Sequence, residues 1–310
     1  MKSKEIVKSK KNYIAIPFLS PALISIFVLS FLPIIYTVYI AFTDYTEYSK
    51  GVIHFVGIKN FIEVFKGPFS KVFLPVFAWT MVYAVLTTLG GFLLGLIMAI
   101  LVNNENIKER GFYKAILVIP WALPGTVAVL SFQGLFNGTY GAINNLLISM
   151  HLIAKPIPWL TNASLSQVVV VVVTVWLGFP YMMNVCLGAL QAIPKSYYEA
   201  AEVDGASKFT QFVKITLPSL AQTAYPLVIT SFAFNFNNFG TAFLITGGAP
   251  ARAGTQFAGY TDILASVNYR LSMQFGRYEI ASTISIIIFI ILGTISFIQM
   301  KASRQFEEVN

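Results

Sequence analysis

The sequence has little charge, few histidines and a single cysteine. Charged residues make up 11% of its 310 residues, whereas a soluble domain carries about a quarter. Cys186 has no second cysteine with which to form a disulfide, and His54 and His151 lie far apart. No cysteine or histidine spacing is typical of a metal site. We therefore expect no disulfide and no metal ion, and the low charge argues against a soluble fold.

The chain also lacks the glycine loop, Gly-x-x-x-x-Gly-Lys-Ser/Thr, that holds nucleotide phosphates. We expect that it neither hydrolyses ATP nor binds a cofactor itself. Its net charge of +8 does not require a nucleic acid partner, because lysines beside anionic lipid headgroups are sufficient to explain it.

Long apolar runs dominate the sequence. Hydrophobic residues make up 56% of it, the mean hydropathy is +0.71, and a helix needs about 20 apolar residues to cross a bilayer. The first run is too long for a signal peptide and has no small-residue cleavage site after it, so we expect it to be retained. We predict an all-α membrane protein with six transmembrane helices, at about 14–42, 73–102, 113–136, 166–190, 217–246 and 279–300.

The basic residues predict the orientation. With the N-terminus inside, 13 of the 21 Lys and Arg residues fall in cytoplasmic segments, as the positive-inside rule requires. We therefore predict a multi-pass membrane protein with both termini in the cytoplasm. The predicted segments are a cytoplasmic N-terminal segment (1–13), a first helix with an outer loop (14–72), a transmembrane core (73–300) containing a cytoplasmic loop (191–216), and a cytoplasmic tail (301–310).

The centres of the six predicted spans contain no Asp, Glu, Lys, Arg or His. Proton- and sodium-coupled transporters usually place such residues in the bilayer. Energy must therefore come from outside the chain, unless the chain is a passive channel. The same absence favours a neutral substrate and leaves a membrane-embedded enzyme almost unsupported.

The cytoplasmic loop contains a short amphipathic helix. Pro194 suits a helix start, Gly205 suits a helix end, and the predicted helix covers residues 195–203. Tyr198, Ala201 and Glu202 fall on one face of it. The helix either docks on a partner or is a solvated loop helix.

Two predicted spans carry matching polar and aromatic faces. Polar groups in apolar spans cost free energy unless they are hydrogen-bonded. Such faces suit a sugar, whose ring stacks on aromatic side chains and whose hydroxyls pair with amides, but the asparagines could equally join helices. At 100° per residue, the faces comprise Thr174, Leu177, Gly178, Tyr181 and Val185 in the fourth span, and Ser231, Phe234, Asn235, Asn238 and Ala242 in the fifth.

The loop motif resembles a known one. Glu199-Ala200-Ala201, Gly205 and the Ile-Thr-Leu-Pro run at 215–218 have the spacing of the coupling loop of ABC-importer permeases, which docks into a groove on the ATPase subunit. The resemblance implies an ATPase-coupling role for Tyr198, Glu199, Ala200, Ala201, Asp204 and Gly205.

Three further segments, 176–183, 231–239 and 258–262, resemble the larger membrane subunit of maltose/maltodextrin ABC importers. That family has the type I ABC-importer permease fold, and its two corresponding spans supply a transmembrane sugar site. Thr174 stands where the family member has Asn, which leaves the exact sugar open. The outer loop at 43–72 is modest, so we expect fewer contacts to a binding protein there. The lining implied by the resemblance is Leu177, Gly178, Tyr181, Phe234, Asn235 and Asn238.

The resemblance also implies partners: a second permease subunit, two ATP-binding subunits that use ATP and magnesium, and an extracytoplasmic sugar-binding protein. The expected function is ATP-driven import of maltose or maltodextrins by alternating access. The resemblance implies a place in the inner membrane of a prokaryotic cell, with membrane lipid around the chain. A permease for another oligosaccharide or for glycerol phosphate is the alternative within the family, although the spans offer no Arg or Lys for a phosphate. An ATPase-independent facilitator channel is the alternative of another class.

Overall fold

Apolar helices form nearly all of the computed structural model, which describes residues 15–255 and 257–302. In this part of the chain β-pairing is limited to two isolated bridges, Thr43 with Phe55 and Ala251 with Gly259. The predicted cytoplasmic segment 1–13 and most of the tail 301–310 lie outside the described residues. The prediction that both termini are cytoplasmic therefore remains a prediction.

The described residues form fourteen α-helices and two π-helical turns, Phe27–Phe31 between α1 and α2 and Phe212–Thr216 between α10 and α11. The helices are α1 Ala15–Ile26, α2 Leu32–Ala41, α3 Lys59–Phe65, α4 Ser70–Asn103, α5 Arg110–Ala122, α6 Gly125–Leu135, α7 Ala142–Ser149, α8 Ala163–Gln191, α9 Lys195–Val203, α10 Lys208–Gln211, α11 Leu217–Phe236, α12 Phe239–Thr246, α13 Leu264–Met273 and α14 Tyr278–Ala302.

Four helical segments are long and apolar enough to cross a membrane: 17–41, α4, α8 and 278–301. They correspond to the first, second, fourth and sixth predicted spans. The third predicted span is not one straight helix, because α5 and α6 meet at a 90° bend. Leu123 is extended there, as expected for the residue before a proline. The pair makes a fifth span if it crosses as one unit.

The fifth predicted span, 217–246, is also divided. It consists of α11 and α12, which are separated at Asn237 and Asn238. The Asn238 side chain accepts a hydrogen bond from the Thr241 N–H at 3.3 Å and so begins α12 as its N-cap. The described chain therefore has four or five spans by length and hydropathy, and the sixth remains a prediction.

Helices α4 and α8 pack along much of their length at the centre of the bundle. A Cβ atom added at Gly95 would lie 2.7 Å from the backbone nitrogen of Met183. The missing side chain therefore lets the two backbones approach, as small residues do between membrane helices. The first span (17–41) leaves most of its apolar side chains exposed, apart from Ile40 and Ala41 at its end, which suits contact with lipid.

The predicted topology can be tested on two exposed loops. In a Cys186→Ser background, a cysteine at Asn106, between α4 and α5, should react with membrane-impermeant thiol reagents only from the cytoplasm. A cysteine at Lys155, between α7 and α8, should react only from outside. Both positions are exposed and Cys186 is buried. Labelling of the two sites from the same side would contradict the arrangement of spans between them.

Candidate functional site

A cavity of about 700 Å³ opens between α4, the α5–α6 bend, α8 and the α11–α12 break. Eight of the ten residues predicted to form the two polar and aromatic faces lie on its wall, including Thr174 and all six implied by the resemblance. The complete lining is Thr87, Thr88, Gly91, Pro120, Trp121, Leu123, Gly125, Thr126, Val129, Thr174, Leu177, Gly178, Tyr181, Met182, Thr230, Ser231, Phe234, Asn235, Asn238, Gly240, Thr241 and Leu244.

Aromatic rings form open walls of the cavity. Phe234 is 70% exposed and Trp121 is 59% exposed, and the Trp121 and Tyr181 ring centroids are 6.5 Å apart. A Cβ atom added at Gly178 would meet nothing within 4 Å, so this glycine leaves open space beside Tyr181. The rings thus offer apolar faces on which a flat, partly apolar ligand can stack.

The polar groups of the cavity are all uncharged. The lining contains amides and hydroxyls but no Asp, Glu, Lys, Arg or His. Asn235 donates an Nδ2 hydrogen bond to Thr88 Oγ1 at 3.0 Å, which joins α11 to α4. No hydrogen bond to its side-chain oxygen, Oδ1, is found among the described residues. Asn235 therefore links two helices and still has an acceptor for a ligand, so the geometry allows both roles that the sequence left open.

Two other predicted residues are engaged within the protein. Thr174 is 5% exposed; its hydroxyl donates to the Val170 carbonyl oxygen at 2.7 Å and lies 3.0 Å from the Tyr83 hydroxyl. Asn238 Oδ1 caps α12. Both line the cavity, but their oxygens already contribute to the packing of α8 against α4 and to the start of α12.

The predicted faces were wrong at one position each. Val185 does not line the cavity, because it lies one turn beyond Tyr181 on α8. Ala242 lies in the buried core against Val129 and Val173. The break at Asn237 and Asn238 changes the helical phase, so a face extrapolated through 217–246 fails after the break.

The sequence analysis also missed several lining residues. Thr87 and Thr88 come from α4, and Trp121, Gly125 and Thr126 come from the α5–α6 bend. The adjacent threonines in an otherwise apolar run were a usable signal. The bend was harder to predict, since a proline in a membrane span need not break it.

Helix α9 confirms the predicted loop helix and its bounds. It runs from Lys195 to Val203, with Pro194 at the N-cap position. Gly205 has a φ of +74°, a value that favours glycine, and its N–H donates to the Glu202 carbonyl oxygen at 3.0 Å. The glycine therefore ends the helix as the spacing predicted.

One face of α9 is available to a partner. The helix has no buried residue; Tyr198 and Ala201 are half-buried against the bundle. Glu202, predicted to share their face, is exposed and pairs with Lys208, which lowers the pKa of the Glu202 carboxyl. The remaining predicted coupling residues, Glu199, Ala200, Asp204 and Gly205, are all exposed.

The segment 258–262 lies outside the cavity and has a structural role. Asp262 is buried; it accepts hydrogen bonds from the Gly259 N–H at 2.8 Å and the Ser266 hydroxyl at 2.7 Å. The Arg270 guanidinium lies 3.6 Å away. Burial raises the pKa of the Asp262 carboxyl despite these partners. The network holds the loop between α12 and α13 in place.

Curated relatives are found over most of the chain. It is 38% identical over 291 residues to the galactooligosaccharides transport system permease protein GanP of Bacillus subtilis, covering 92% of this chain and 69% of GanP. It is 41% identical over 261 residues to the maltose/maltodextrin transport system permease protein MalF of Salmonella typhimurium, covering 83% of this chain. The alignment spans only half the length of MalF.

Solved structures show the same fold. The chain matches a bacterial ABC transporter involved in the import of the acidic polysaccharide alginate with a TM-score of 0.78, at 21% identity and over 96% of both chains. It matches the alginate transporter in complex with an alginate pentasaccharide-bound periplasmic protein with a TM-score of 0.76, at 20% identity, covering 96% of this chain and 99% of that one. These matches confirm the predicted ABC-importer permease fold.

Residues 91–305 match the family model described as binding-protein-dependent transport system inner membrane component. The match covers most of the transmembrane core, including α9 and all of the cavity lining except Thr87 and Thr88. It agrees with the apolar helices in identifying a multi-pass protein of the inner membrane. This chain therefore belongs to the family of binding-protein-dependent transport system inner membrane components.

Proposed function

We propose that this chain is a permease subunit of an ATP-driven importer and forms part of the translocation path for maltose and maltodextrins. The observation that carries the proposal is the uncharged cavity, whose open aromatic rings lie beside amide and hydroxyl groups. Its volume of about 700 Å³ is in the range of small-molecule sites, roughly 300–1,000 Å³. A neutral oligosaccharide fits such a wall better than a charged one.

The proposed binding mode divides the ligand between two kinds of contact. The apolar faces of a sugar ring stack on Tyr181 and Phe234, which are open to the cavity. Its hydroxyls pair with the side-chain oxygen of Asn235, to which no hydrogen bond is found among the described residues. Gly178 leaves room for the bulk of the ring, and Leu177 adds apolar contact. Thr174 and Asn238 contribute less, because their oxygens already have protein partners.

The energy would come from partner subunits. In the proposed mechanism, two ATPase subunits that use ATP and magnesium close around the exposed side of α9, at Glu199 and Ala200. The motion of α9 changes the spans from inward-facing to outward-facing. An extracytoplasmic binding protein then delivers the sugar, and a second permease subunit completes the path. MalF and GanP relatives and the alginate importer with its periplasmic protein support this assembly.

Uptake into reconstituted vesicles tests the proposal. With partner permease, ATPases and binding protein present, radiolabelled maltose should accumulate only when ATP is inside, and unlabelled maltotriose should compete. Galactooligosaccharides serve as the rival competitor, because GanP aligns over more of its own length than MalF does. Preferential competition by galactooligosaccharides would identify them, instead of maltodextrins, as the substrate. Uptake without ATP would favour the facilitator channel.

A further inference from the structure

Helix α9 is held to the bundle by very few contacts. None of its residues is buried. Among the described residues, the Glu202 side chain pairs with Lys208 of the next helix, α10, and two side-chain hydrogen bonds join α9 to the rest of the bundle. One joins Lys195 Nζ to Glu105 Oε1 at 2.8 Å, and both side chains are mostly exposed. The other joins the hydroxyls of Tyr198 and Thr216 at 2.9 Å. Whatever moves α9 must act on the bundle through these contacts or through the connecting chain.

The two contacts differ in strength. An exposed ion pair contributes about 0–1 kcal/mol and is screened by salt. The Tyr198–Thr216 bond is partly buried, and Thr216 is only 7% exposed. Water therefore competes less for these hydroxyls, and the hydrogen bond is stronger in the less polar surroundings. This makes it the better mechanical link between α9 and the bundle.

Thr216 lies at a special point of the chain. It ends the π-helical turn Phe212–Thr216, and α11 continues from it without a break. A π-helical turn inside a longer helix is rare and often occurs at functional sites. At 1.5 Å per residue, Thr216 is about 27 Å along the helix from Phe234. A displacement at Thr216 is thus applied to the base of the helix that carries Phe234 and Asn235 to the cavity.

The structure also leaves space for the link to move. A crevice of about 430 Å³ adjoins both Tyr198 and Thr216 and is bounded by Ile100, Leu190 and Phe212. The Tyr198 ring is therefore not enclosed on all sides. It can follow a shift of α9 while its hydroxyl stays on Thr216.

We propose that the Tyr198–Thr216 hydrogen bond transmits the motion of α9 to α11, and so to the cavity. Both are positioning residues, because neither contacts the cavity or needs to touch ATP. The proposal rests on the proposed function, since it presumes that ATPases drive α9. It adds the particular contact through which the movement reaches the residues around the sugar.

Isosteric variants of the complete transporter test this link. Tyr198→Phe and Thr216→Val each remove a hydroxyl while keeping the shape, and Thr216→Ser restores one. The readout is the ratio of ATP hydrolysed to sugar imported in vesicles containing partner permease, ATPases and loaded binding protein. We expect the ratio to rise at least about fivefold in both variants, to rise no further in the double variant, and to return toward wild type in Thr216→Ser. Tyr197→Phe, an exposed neighbour on the same helix, is the matched control and should leave the ratio unchanged.

The outcomes separate the two proposals. Suppose that the wild-type complex imports sugar with ATP, and that Tyr198→Phe and Thr216→Val have the wild-type ratio of ATP hydrolysed to sugar imported. The proposed role of the hydrogen bond is then wrong, and the proposed function stands. If the variants only lower the thermal stability of the assembled complex, with an unchanged ratio, the hydrogen bond is structural and the link is again wrong. If the wild-type complex shows no ATP-dependent uptake of any tested sugar, the proposed function and the link both fail.

Discussion

Gly205→Pro is expected to abolish ATP-driven uptake while the chain remains in the membrane. Proline fixes φ near −65° and has no N–H, whereas Gly205 has a φ of +74° and donates to the Glu202 carbonyl oxygen. The substitution therefore removes the end of α9 and redirects the segment that follows. Because the site is exposed, the spans themselves should assemble normally. Uptake and binding-protein-stimulated ATPase activity in reconstituted vesicles measure the effect.

Two further variants refine the prediction. Gly205→Ala keeps the N–H but strains the backbone by about 1–2 kcal/mol, so we expect partial loss. Glu199→Lys reverses an exposed charge on α9 and should abolish uptake, whereas Glu199→Gln, its matched control, should have a smaller effect. Normal uptake and normal ATPase stimulation in Gly205→Pro would show that α9 has no part in coupling.

Asn235→Leu and Tyr181→Ala should each cripple sugar uptake in complexes that still assemble. A sugar hydroxyl left without its partner costs about 1–3 kcal/mol, and every 1.4 kcal/mol is about a tenfold change in binding. We therefore expect losses of about 5- to 150-fold for Asn235→Leu, and a comparable loss when Tyr181 no longer offers a ring. Transport normalised to assembled complex is the measurement. Tyr225→Ala, on α11 but outside the cavity lining, is the control.

The hydrogen bond from Asn235 to Thr88 provides an internal comparison. If Asn235 only joins α11 to α4, then Thr88→Val and Asn235→Leu should lower the thermal stability of the complex equally. Each should then leave transport per assembled complex near normal. A larger transport defect in Asn235→Leu than in Thr88→Val supports contact with the sugar. Normal transport by Asn235→Leu on this basis would remove Asn235 from the site.

Much of the site could be predicted because its residues share regular helices. Leu177, Gly178 and Tyr181 follow α-helical spacing within α8 and line one wall together. The bounds of α9 were predictable for a different reason: Pro194 and Gly205 act locally, through φ and a missing side chain. These signals depend only on residues that are close in sequence, so they can be recognised in a single sequence.

The remainder depends on contacts between distant segments. Ala242 was misplaced because the Asn238 cap begins a new helix, whereas the spacing of Asn235 and Asn238 is equally consistent with one continuous helical face. Trp121 reaches the cavity only because α5 and α6 turn by 90°. Thr174 was expected to face a ligand, yet its hydroxyl is engaged with Val170 and Tyr83. Hydrogen-bond partners 91 residues apart leave no local pattern in the sequence.

The close approach at Gly95 limits how the bundle can rearrange. The backbone of α4 lies against that of α8 with no room for a Cβ atom, so sliding or rotation of one helix past the other would disturb this contact. We therefore expect α4 and α8 to move together in a transport cycle. Angular change must then be absorbed where the helices are already interrupted, at the bend before Gly125 and at the break before Phe239. Both hinges border the cavity, so its shape changes whenever either one flexes.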